Sequence, residues 1–76
     1  MGYVIVEFSE ARDVLVDAQN QGANMDADGQ YRILRIADGA HSFALAGPAN
    51  YTPSDQRVVV GGTSLLEPLR VTFQRR

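Results

Sequence analysis

Apolar and polar residues alternate with a period of two along most of this 76-residue chain. That period belongs to strands buried on one face. Tyr3-Val4-Ile5-Val6-Glu7-Phe8 is rich in β-branched and aromatic residues and predicts a strand with Val4, Val6 and Phe8 inward. Residues 9–12 read as a turn. Residues 13–17 predict a second strand with Val14 and Val16 inward, leaving Asp13 and Asp17 outward, because carboxylates are costly to bury. Residues 31–36 predict a third. Asp38-Gly39 tolerates positive φ and predicts a tight hairpin into a fourth strand, with His41, Phe43 and Leu45 inward. Residues 56–60, ended by Gly61-Gly62, form another. Leu69, Val71 and Phe73 alternate with Arg70, Thr72 and Gln74 in the cleanest pattern of all.

The segments between are polar or broken. Residues 19–30 hold Gln, Asn, Gly, Asp and Ala around a single Met25, and read as a surface loop with room for a short strand or turn. Such long loops in small domains are commonly functional or disordered. Pro48 has no donor, so residues 47–50 interrupt a ladder. No window shows a helical period. Six to seven short strands at intervals of roughly ten residues predict an all-β fold. We expect a small antiparallel immunoglobulin-like β-sandwich, one domain over residues 1–76.

Composition removes several function classes. A chain this short buries only about 60% of its unfolded surface, so partner binding or self-association would help it. It has no cysteine, which excludes disulfides and thiolate metal sites. A net charge of −2 offers no basic field, and no nucleic-acid partner is expected. Arg70, Arg75 and Arg76 make the C-terminal end locally basic and read as solvated strand residues. No apolar run approaches the roughly 20 residues that span a bilayer, so no membrane insertion is expected. The pattern Met1-Gly2-Tyr3-Val4 lacks a signal peptide's basic region, and a full-length chain of this kind is expected to be cytoplasmic.

Candidate chemistry is sparse. His41 is the single histidine; without a second ligand or a nucleophile it reads as a hairpin residue bonded to a turn carbonyl. Asp26-Ala27-Asp28-Gly29 resembles the start of a calcium loop, but lacks the further ligand after Asp28 and has Ala37 at the twelfth position. Glu7, Glu10, Asp13 and Asp17 fall on solvent-facing positions as solubility and edge-protecting charges. Gly61-Gly62-Thr63-Ser64 lacks the lysine of a phosphate loop. No catalytic residue, metal or cofactor is expected. Phe8, Phe43 and Phe73 belong to the core by phase. Tyr51 ends a loop, where it either caps the sandwich or, with Asn50, offers a stacking platform to a ligand.

Ala37-Asp38-Gly39-Ala40 followed by His41, with Phe43 and Leu45 inside and Gly47-Pro48-Ala49-Asn50-Tyr51 beyond, resembles the PEGA domain. The likeness covers about residues 3–74. Ala37 stands where that family's turn begins with proline, and residues 19–30 lack its usual Gly-x-Thr-Pro connection. The resemblance implies a non-catalytic module of bacterial surface or signalling proteins that contacts protein or glycan. The expectation is therefore a non-enzymatic interaction module. It would dock a protein partner through residues 19–30 and 47–54, or through an edge strand that could equally pair two copies. The alternative is a small-ligand or glycan binder using Asn50 and Tyr51.

Overall fold

Alternation places the valine-rich segments in strands, as the computed structural model shows for residues 2–76. The strands are β1 (Gly2–Glu7), β2 (Asp13–Val16), β3 (Gln19–Ala23), β4 (Leu34–Ile36), β5 (Gly39–Leu45), β6 (Tyr51–Thr52), β7 (Gln56–Val60), β8 (Leu69–Thr72) and β9 (Gln74–Arg75). One sheet has the order β4-β1-β8 and the other β3-β2-β5-β7, while β6 and β9 form a short ribbon. The fold is an all-β sandwich. Its core takes Val4, Val6 and Phe8 from the first strand and its end, Val14 and Val16 from β2, and Phe43 and Leu45 from β5. Leu34, Ile36, Tyr51, Val60, Val71 and Phe73 complete it, and the inward phase expected of β1, β2, β5 and β8 places core residues in each.

The pairing is antiparallel except between β1 and β8, which run parallel with Val4 opposite Leu69 and Glu7 opposite Thr72. Phe73, just past β8, still donates its N–H to the Glu7 carbonyl at 2.9 Å and buries its ring in the core, 3% exposed.

Three local expectations are corrected. Asp38-Gly39 is not a hairpin: β4 pairs with β1 in one sheet, while β5 pairs with β2 and β7 in the other. The turn there carries the chain between sheets, with Gly39 at φ +123°, a conformation open to glycine. The real hairpin joins β2 to β3 through Asp17 and Ala18, both at positive φ (51° and 68°). Asp17 is thus a turn residue, not a strand residue. Finally, residues 19–30 hold the short strand allowed for there, the edge strand β3, but do not lie wholly at the surface, since Asn24 is fully buried. The third predicted strand is correspondingly shorter and begins at Leu34.

Candidate functional site

Two polar constellations stand out, and they differ in how far their donors and acceptors are used. The first centres on Arg12, whose side chain is 7% exposed. Its Nε donates to the Ala46 carbonyl at 2.6 Å, Nη2 to the Pro48 carbonyl at 2.6 Å, and Nη1 to Asn50 Oδ1 at 2.7 Å. Nη1 also meets Glu10 Oε1 at 3.1 Å. The guanidinium lies 5.7 Å from the Phe8 ring centre and 5.5 Å from that of Tyr51, within cation–π range. Gly47, at φ +97°, leaves room for it: a Cβ there would sit 3.1 Å from Nη2. Arg75 binds Glu10 from the outside at 3.0 Å. Arg75, then Arg12 and Asn50, hold the Glu10 pKa below its ordinary value.

Asn50 and Tyr51 belong to this constellation. Asn50 Oδ1 is occupied by Arg12, and its backbone carbonyl accepts from the Arg76 N–H. Tyr51 is 8% exposed. Its ring stands edge-on to Phe8 and Phe73, with centroids 6.1 and 5.4 Å away. Its hydroxyl donates to the Leu45 carbonyl at 2.9 Å and accepts from the Leu45 N–H at 3.3 Å. This is the capping geometry. The Arg12 guanidinium lies over the same ring.

Asn24 works with Arg12. Its Oδ1 accepts from the Arg12 backbone N–H at 2.8 Å, and its Nδ2 reaches the Val6 and Glu10 carbonyls. Among the described residues no buried side-chain N or O lacks a partner. Neither Arg12 nor Asn24 was singled out beforehand. A lone arginine in a turn and an asparagine in a polar run have no periodic signature.

The second constellation lies on the open side of the sandwich, where the edge strand of each sheet has no neighbour: β3 in one and β4 in the other. A cavity of about 250 Å³ lies between them. Val16 and Ile36 form its floor, and Gln19, Gln21 and Arg35 stand at its rim. Outside the cavity, Arg32 Nη1 donates to the Ala23 carbonyl at the end of β3 at 3.0 Å.

His41 also lines the cavity. Nδ1 lies 2.6 Å from Asp17 Oδ2, and Nε2 lies 2.7 Å from the Ala37 carbonyl oxygen. Both partners can accept, so this arrangement favours hydrogen on both ring nitrogens. Bonding to Asp17, then to Ala37, raises the His41 pKa above its ordinary 6.5. Bonding to His41, then to the Ser42 N–H, lowers that of Asp17. A His–Asp pair used as a general base needs a free Nε2, and here Nε2 is spent on a carbonyl. The turn-carbonyl bond expected for His41 is present, although the turn joins two sheets.

The other sequence features are local structure. Asp26 Oδ1 accepts from the N–H groups of Asp28 and Gln30, an Asx turn. Among the described residues no group of three metal-ligating side chains forms, and no helix is long and apolar enough to cross a membrane. Glu7 pairs with Arg70 at 3.1 Å, and Thr72 Oγ1 donates to Glu7 at 2.9 Å. The locally basic C-terminal end is therefore engaged at Arg70 and Arg75. Comparison with protein-family models, curated proteins and solved structures finds no match.

Proposed function

We propose that the chain is a non-enzymatic interaction module that docks an extended segment of a protein partner at the slot between β3 and β4. The observation that carries this reading is two unpaired sheet edges facing one cavity. An unpaired edge is a template for a further strand. The five residues of β3 offer about 17 Å of edge at about 3.4 Å per residue. Gln-Asn-Gln at the start of β3 gives that edge a polar, adaptable surface. The reading retains the PEGA-like, immunoglobulin-like and bacterial assignment drawn from residues 37–51, which implies a module without catalysis.

Selection of a random-peptide phage library on the immobilised chain tests it. Selected peptides should lose binding to the Gln21→Trp variant, whose ring overhangs the slot, while thermal unfolding stays unchanged. Peptides indifferent to Gln21→Trp would place binding elsewhere and end this reading.

A further inference from the structure

We propose that the segment captured in this slot is acidic, with a carboxylate that meets Arg35. The inference rests on the docking reading above and adds the chemistry of the partner. Arg35 sits on edge strand β4, opposite Tyr3 in register, and is exposed at the rim. Among the described residues it makes no ion pair and no side-chain hydrogen bond, unlike Arg12, Arg32, Arg70 and Arg75.

Every other charge facing the slot is answered within the fold. Asp17, on the turn after β2, is paired with His41, Oδ2 to Nδ1 at 2.6 Å. Arg57 of β7 adds a favourable field at Asp17. Asp38, beside Ala37 on the crossover, is already engaged. From β3 the slot receives Gln19 and Gln21, which are neutral. Arg35 is therefore the charged side chain at the rim that has no partner among the described residues. A guanidinium is the donor best shaped for a carboxylate.

Three blocked hexapeptides of alternating threonine and valine supply the test, with one central threonine replaced by glutamate, glutamine or lysine. Affinity is read by amide-shift titration at low ionic strength, with shifts at Gln19, Gln21 and Ala37 reporting the slot. The glutamate peptide should bind roughly three- to fivefold tighter than the glutamine peptide, and the lysine peptide weakest, the range of a solvent-exposed ion pair. Arg35→Gln should level the three, because its side chain lies outside the core and its loss removes only the charge. Equal affinities for the three peptides at the slot would overturn the acidic inference and leave the docking reading standing. A glutamate preference that survives Arg35→Gln would overturn it too, by moving the anion contact away from Arg35. Failure of all three to move the slot amides would defeat the docking reading and the inference with it.

Discussion

The segment of residues 46–50 and the slot between β3 and β4 are both polar and both near sheet ends, yet they are built oppositely. In the first, one buried arginine ties down two carbonyls and an amide, and Glu10 and Arg75 complete the chain of contacts. In the second, polar side chains gather around a cavity, and Arg35 has no partner among the described residues. Polarity alone therefore does not mark a working surface. What matters is whether the polar groups are already satisfied, because a satisfied network rigidifies a fold and an unsatisfied rim is available to a partner.

The comparison is broken most directly at Arg12. Arg12→Ala strands the Ala46 and Pro48 carbonyls and removes the cation from between Phe8 and Tyr51. It should lower unfolding free energy by about 3 kcal/mol, measured by urea denaturation. A loss near zero would show that water replaces the guanidinium and that the segment is not pinned.

Gly47→Ala attacks the same clamp from the backbone. It forces alanine to φ +97° and brings Cβ to 3.1 Å from Arg12 Nη2, and should cost roughly 1–3 kcal/mol. Additive losses in the Arg12→Ala, Gly47→Ala double variant would separate the two residues; a smaller combined loss is expected because they share one contact.

Smaller still is the effect at His41, which lines the slot. The His41 pKa is raised on folding, so its contribution is complete below about pH 6.5 and is lost as pH rises through the higher folded value. The Asp17 pKa is lowered, so its contribution is present above 3.8 and is lost as pH falls through the lower folded value. The pair therefore holds best between these limits. Melting temperature should decline on going from pH 6 to pH 9, and His41→Gln should flatten that decline. An unchanged slope in His41→Gln would mean that the clasp adds nothing to stability.

Alternation made the core legible because burial on one face leaves a direct record in residue type. Val4, Val6, Phe8, Val14, Val16, Phe43 and Leu45 were readable for that reason. Strand β3 was legible only as room for a short strand, since Gln-Asn-Gln-Gly-Ala has low strand propensity; its pairing with β2 and the positive-φ turn at Asp17-Ala18 hold it. Asp38-Gly39 marks a bend between two strands. Which sheet the next strand joins depends on tertiary packing, so the hairpin there became a crossover. Of the site residues, Tyr51 was identified with both of its roles open, and its burial supports the capping role. Arg35 carried no signal, because its meaning comes from the cavity beside it and from the pairing of Asp17 with His41.

The central claim is that partners meet the slot and not the pinned segment. Amide-shift mapping of the isotope-labelled chain with a phage-selected peptide tests this most directly. The account predicts shifts concentrated at Gln19, Gln21, Arg35 and Ala37, with Gly47, Asn50 and Tyr51 unmoved. Shifts centred on Asn50 and Tyr51, with β3 and β4 silent, would contradict it.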